Sequence, residues 1–183
     1  MIFNRGSGRE AADGGEAMRE LRYKWGMTVI DLRPVTRENL KACIALEVQP
    51  GQRDYVAPNV QSMAEAYVLP EADPRLVYAD DEAVGFVLFH PNEKGPGHYI
   101  VRFMIDQRFQ GQGLGRRALA AAVDWIVLEK GVDRVLLSVV PANEPARGLY
   151  RSAGFVETGE IDHGELVMEK VLSNPKPGAW GID

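Results

Sequence analysis

The chain has 183 residues, 45% hydrophobic and 26% charged, enough for one globular domain with a substantial core. A formal net charge of −5 argues against general nucleic-acid binding and suits a cationic small substrate better. The single Cys43 excludes an intrachain disulfide, His90, His98 and His163 form no metal motif, and no apolar run reaches the length of a membrane span. These features read as a soluble, cytoplasmic protein with no signal peptide, no metal and no membrane contact.

Residues 1–26 are rich in Gly, Arg and Glu and lack periodicity. They read as a disordered extension, or as the product of an upstream start chosen in place of Met27. The domain is expected over 27–172, followed by an irregular Pro/Gly-rich tail, 173–183, in which Trp180 is a residue able to dock. Thr28–Arg33 reads as the first strand, and Thr36 as the N-cap of a helix with apolar Leu40, Cys43, Ile44 and Leu46. After the loop VQPGQRDYVAP, Asn59 is expected to cap a second helix, VQSMAEAYVL. Strands are expected at Arg75–Ala79 and Glu82–His90 around the acidic turn Asp80–Asp81, then at Tyr99–Ile105 after a Pro/Gly turn. A helix over Leu114–Lys130 with Gly131 as C-cap precedes a buried strand, Arg134–Val140, which Pro141 stops. Asn143 can cap a short helix to Ser152, and GFVE and ELVMEKV close the domain as strands. The order βααβββαβαββ is α+β or mixed α/β and not doubly wound.

Between the strand ending VRFMID and the helix lies QGQGLGR, Gln110–Arg116. A strand that breaks into a Gly-rich turn and opens a helix builds an anion site from close-approaching N–H groups and the helix dipole. A Walker loop needs Lys and then Ser or Thr after its last Gly, whereas Gly115 is followed by Arg116 and Arg117. A dinucleotide fingerprint needs G-x-x-G spacing near the first strand, whereas Gly111, Gly113 and Gly115 alternate past mid-chain.

Two motifs together resemble the GNAT N-acetyltransferases. Gln110, Gly113 and Gly115 match that family's Q/R-x-x-G-x-G/A acetyl-CoA signature. Asn143, with Tyr150 seven residues later in a run ending Gly154–Phe155, matches its second landmark. The element order agrees over 28–170. The resemblance implies a central twisted mixed sheet of about seven strands flanked by about four helices, with acetyl-CoA as co-substrate, no metal, and homodimers as a common assembly. It implies that the fourth and fifth strands splay around the pantetheine arm, with backbone groups of Phe103, Met104 and Ile105 meeting it and one N–H polarising the thioester carbonyl. Gln110, Gly111, Gln112, Gly113, Leu114, Gly115 and Arg116 would hold the diphosphate, Asn143 a pantetheine amide, and Tyr150 would protonate the departing thiolate. From the residues alone, Asn143 is equally an N-cap, Tyr150 a core aromatic, and Arg116 and Arg117 solvated helix residues.

The acceptor amine must attack uncharged, although a free alkyl ammonium has a pKa of about 10. Many members carry a Glu on the fourth strand for this task, but HYIVRFMID has no carboxylate before Asp106. His98, Tyr99, a water chain or a carboxylate from the first helices stay open as the base. The segment EVQPGQRDYVAPNVQSMAEAYV, with its YVAPN run, and the strand VRFMID resemble bacterial diamine and spermidine acetyltransferases of the same family. A polyamine site needs spaced carboxylates and aromatic faces. Glu47, Asp54 and Glu65 with Tyr55, Tyr67 and Tyr99 are the candidates, and each is also readable as an ordinary surface residue. The expected activity is acetyl transfer to a small cationic amine such as spermidine. A protein N-terminus, an amino acid or an antibiotic amine is the alternative acceptor, and a non-catalytic acyl-CoA sensor the alternative class.

Overall fold

Alternating and continuous apolar runs set the sheet. In the computed structural model, which describes residues 28–172, the elements are β1 (Ile30–Pro34), α1 (Leu40–Ala45), α2 (Asn59–Val68), β2 (Asp73–Ala79), β3 (Glu82–Pro91), β4 (His98–Ile105), α3 (Leu114–Lys130), β5 (Arg134–Val139), α4 (Glu144–Ser152), β6 (Val156–Asp162) and β7 (Glu165–Val171). The expectations for 1–26, 173–183 and Trp180 lie outside the described residues. One mixed seven-stranded sheet forms, in the order β1-β2-β3-β4-β5-β7-β6, and β4–β5 is its parallel pair. Element order, strand number and helix number follow the expected mixed α/β architecture.

β3 shows how sequence makes this sheet. Val87 and Phe89 point into the layer under α3, with Ala118, Leu119, Ala122 and Ile126, whereas Phe86 and Leu88 point to Cys43 and Leu46 on the other side. Both faces are covered, so the strand reads as an unbroken apolar run. Gly113 and Gly131 bracket α3 in the left-handed conformation, and the Gly131 N–H donates to Val127 O.

Three local expectations are corrected. Thr36 does not cap α1. The helix starts at Leu40 with Asn39 at the N-cap position, and the Asn39 side chain accepts from Thr36 N and donates to Pro34 O, fastening the preceding turn instead. Asn59 does not cap α2 either, because Pro58 takes that place and Asn59 lies in the first turn. Its side chain is buried (4% exposed) and donates to Cys43 O at 2.8 Å, satisfying a carbonyl at the end of α1. β2 begins at Asp73, so Pro74 belongs to it; Pro74 pairs with Leu88 of β3 just beyond the last β1 pair, Pro34–Arg75.

Candidate functional site

The site begins as a failure of strand pairing. β4 and β5 pair only at His98–Val135, Tyr99–Leu136 and Ile100–Leu137. On its other edge β4 stays paired to β3 up to Ile105, but Leu88 opposes Arg102 and Phe89 opposes Ile100, so Val101 is a bulge. A bulge bends and twists its strand, and this one sits where β4 leaves β5. The strands therefore splay, and a cleft of about 670 Å³ opens between Val101–Ile105 on one side and Ser138–Val140 on the other. The parted edges present backbone donors and acceptors with no neighbouring strand to satisfy them. An extended guest with amide groups fits such a gap.

The Gly-rich loop closes one end. Gly111 and Gly113 both hold φ +76°, which other residues reach at a cost. No side chain caps α3 and no acid occupies its first turn, so its leading N–H groups are left for an anion. Gln110, Gly111 and Gly115 border the cleft. Gln110 has a second task, because its side-chain amide donates to Ile105 O at 2.8 Å and to Gln52 Oε1 at 2.9 Å, bracing the end of β4. Gln112 is exposed and donates to Arg108 O, Leu114 is buried beneath the loop, and Arg116 is exposed on the first turn of α3; none of these three lines the cleft.

Asp106, the acid that ends the VRFMID run, is the anchor of this corner. It is 2% exposed and accepts from Glu47 N at 3.0 Å, Arg108 N at 2.9 Å and Arg108 Nε at 2.8 Å. Burial alone raises its pKa, but the Arg108 side chain and the two backbone N–H groups outweigh that and hold it below the ordinary Asp value. Asp106→Ala leaves those donors unmatched and should lower stability by about 2–3 kcal/mol in urea unfolding. Because the folded pKa is depressed, this contribution is present at neutral pH and is lost as pH falls through the folded value. A variant with the wild-type midpoint at neutral pH would show the anchor to be dispensable.

α4 supplies the far wall. Asn143 is its N-cap, accepting from Ala146 N at 3.3 Å, and it also borders the cleft, so its two expected roles coexist. Tyr150, 8% exposed, faces the same space with Phe155 at a 6.2 Å ring distance. Burial, and secondarily the charge of Glu165, pushes its phenol up to about 12. It is thus held protonated, the state a proton donor needs.

The acceptor candidates are only partly brought together. Asp54 and Tyr55 line the cleft. Glu47 and Glu65 do not: Glu47 pairs with Arg53 at 3.6 Å, and Glu65 with Arg102 at 3.2 Å. Tyr99 lies before the splay, near Glu160 and Asp162, its phenol raised mainly by burial; neither it nor His98 lines the cleft. Tyr67 is 89% exposed at the end of α2. Sequence reasoning missed Ser138 and Glu165, which join across β5 and β7 by a hydrogen bond at the cleft wall. No local signal marks that pair. Among the described residues no cluster of three or more His, Cys, Asp or Glu is placed to hold a metal, and no helix is long and apolar enough to cross a membrane.

The model of the acetyltransferase (GNAT) family matches residues 37–155. A spermine/spermidine N(1)-acetyltransferase of Bacillus subtilis (strain 168) is 31% identical over 150 residues, covering 78% of this chain and 99% of that protein. A spermidine N(1)-acetyltransferase of Escherichia coli (strain K12) is 25% identical over 142 residues, 73% of this chain and 76% of that one. The crystal structure of aminoglycoside acetyltransferase AAC(6')-Ib with coenzyme A shares the fold at a TM-score of 0.66 and 17% identity, covering 78% of this chain and 95% of that chain. The splayed strands, the glycine-opened helix and the family match agree: the chain belongs to the acetyltransferase (GNAT) family and is an N-acetyltransferase that uses acetyl-CoA as co-substrate.

Proposed function

We propose that this enzyme acetylates a primary amine of a small polycation, a diamine or polyamine such as spermidine, in the cleft between β4 and β5. The open edge of Phe103–Ile105 and the Asn143 side chain hold the pantetheine arm. Gly111–Arg116 and the N-terminus of α3 hold the diphosphate. Bound acetyl-CoA supplies the acyl carbon and the leaving thiolate. Tyr150 gives that sulfur its proton.

The observation that carries the acceptor class is the charge left over in the cleft. Its two arginines, Arg53 and Arg102, are each engaged by a glutamate, whereas its two carboxylates, Asp54 and Glu165, have no cationic partner among the described residues. Uncompensated carboxylates on separate walls suit a substrate with spaced ammonium groups. The spermine/spermidine activity named for the Bacillus subtilis relative supports the same reading. Coenzyme A release measured over putrescine, spermidine, spermine, amino acids, N-terminal peptides and an aminoglycoside tests it. A polyamine should lead the panel in kcat/KM by at least about tenfold, ~1.4 kcal/mol. A peptide or aminoglycoside in that place would overturn the acceptor assignment and leave the acetyl transfer intact.

A further inference from the structure

Ser138 of β5, Tyr150 of α4 and Glu165 of β7 all line the cleft although they come from separate elements. Leu166 and Met168 of β7 belong to the core beneath α3, so strand alternation turns Glu165 and Val167 to the opposite face of the sheet. That is the face covered by α1 and α2, from which Asp54, Tyr55 and Gln61 also reach the cleft. Tyr150 belongs to the core on the α3 side. A phenol and a carboxylate thus approach the gap from its two faces. The Ser138 hydroxyl donates to Glu165 Oε2, while Oε1 has no hydrogen-bond partner among the described residues.

The surroundings leave this carboxylate available. Arg102 of β4 is taken by Glu65, and Arg53 of the α1–α2 connection by Glu47. Asp54 and Tyr55 face the cleft from that connection. In the β6–β7 hairpin Asp162 is held by Lys94, and His163 is exposed beside Asp162.

We propose that Glu165 is the general base: its free Oε1 receives the acceptor ammonium and takes one N–H proton, leaving a neutral amine whose lone pair forms the bond to the acyl carbon. The proton on Glu165 passes to solvent. The second proton lost from nitrogen replaces the one that Tyr150 gives to the departing sulfur. An ammonium with three protons thereby becomes an amide with one, a thiol with one, and one released proton. Ser138 positions the carboxylate. The inference rests on the cleft being the transfer site, as proposed above, and not on the polyamine.

The test compares wild type, Glu165→Gln and Ser138→Ala with whichever amine of the panel turns over fastest, so a failed polyamine assignment does not disturb it. At pH 7 the Glu165→Gln variant should lose about 100-fold in kcat/KM. From about pH 7 to 9 its rate should climb about tenfold per unit toward the free-amine pKa of about 10, because it draws neutral amine from solution, whereas wild type and Ser138→Ala stay level. Calorimetry of amine binding to CoA-saturated protein, which needs no turnover, should show about tenfold weaker binding in Glu165→Gln. Parallel profiles for Glu165→Gln and wild type, at any rate, overturn the base role, as does undiminished amine binding. If Glu165→Gln fails to fold, Glu165→Asp decides: a level profile with kcat lowered about tenfold supports the role, and unchanged kcat overturns it.

Discussion

Tyr150→Phe should lower kcat about 10³-fold while leaving folding and acetyl-CoA binding close to wild type. The substitution removes one hydroxyl and keeps the ring that packs near Phe155 in the core, a nearly volume-conserving change. What it removes chemically is a proton. Burial first, and then the facing charge of Glu165, raises the phenol to about 12, so at neutral pH it keeps its proton, which suits the proposed donor role and not that of a base. Positioned general acids contribute about 10²- to 10⁴-fold, and a loss confined to the transition state appears in kcat with KM little changed. Single-turnover rates at saturating acetyl-CoA would read this directly; a loss under about tenfold would remove Tyr150 from the proton path. The same shift has a stability consequence. A group whose folded pKa lies above its unfolded value, here about 12 against 10.0, stabilises the fold fully below the unfolded value, and the contribution is lost as pH rises through the folded one. Tyr150→Phe should therefore lose less stability between those two values than wild type does.

The legible parts of this molecule were those written in local periodicity. The apolar run of β3, the Gly131 stop of α3 and the Asn143 cap each follow from neighbouring residues. The paired motifs point to Phe103–Ile105, the glycines and Tyr150; of these, Phe103–Ile105, Gly111, Gly115 and Tyr150 line one cleft, and Gly113 does not. Long-range pairing was invisible. Asn59 looks like a cap because it precedes a helix, yet its amide is spent on Cys43, 16 residues away. Glu165 looks like the solvent face of an alternating strand, and nothing near it announces Ser138, 27 residues upstream. Glu47 and Glu65 look like free acids until the fold supplies Arg53 and Arg102. The bulge at Val101, which opens the site, depends on register with β3 and leaves no mark in β4 itself.

Gly85→Val should be among the most damaging single changes outside the reacting groups, costing about 3 kcal/mol in stability and weakening acetyl-CoA binding about tenfold or more. Gly85 sits inside β3, opposite Ile105. Its φ lies outside the left-handed range, so any residue can adopt the backbone, and the constraint is space. A Cβ there would stand 2.5 Å from Met104 O, 2.8 Å from Ile105 Cδ1 and 3.5 Å from Ile105 Cα. The Ile105 side chain can rotate, but the Met104 carbonyl is backbone and yields only if β4 shifts, which is why glycine marks a close strand approach. That end of β4 forms a cleft wall and carries the Gln110 brace and the Asp106 anchor. A displacement there reaches the strand edge proposed to meet the pantetheine arm. Gly148→Ala is the matched control, since nothing lies within 4 Å of its added Cβ and the change in α4 should stabilise by about 0.5–1 kcal/mol. Urea midpoints and coenzyme A titrations on both variants separate a general glycine effect from this contact. A Gly85→Val protein within about 1 kcal/mol of wild type, binding coenzyme A normally, would mean that β4 yields without consequence and that the narrow approach of β3 does not set the wall of the site.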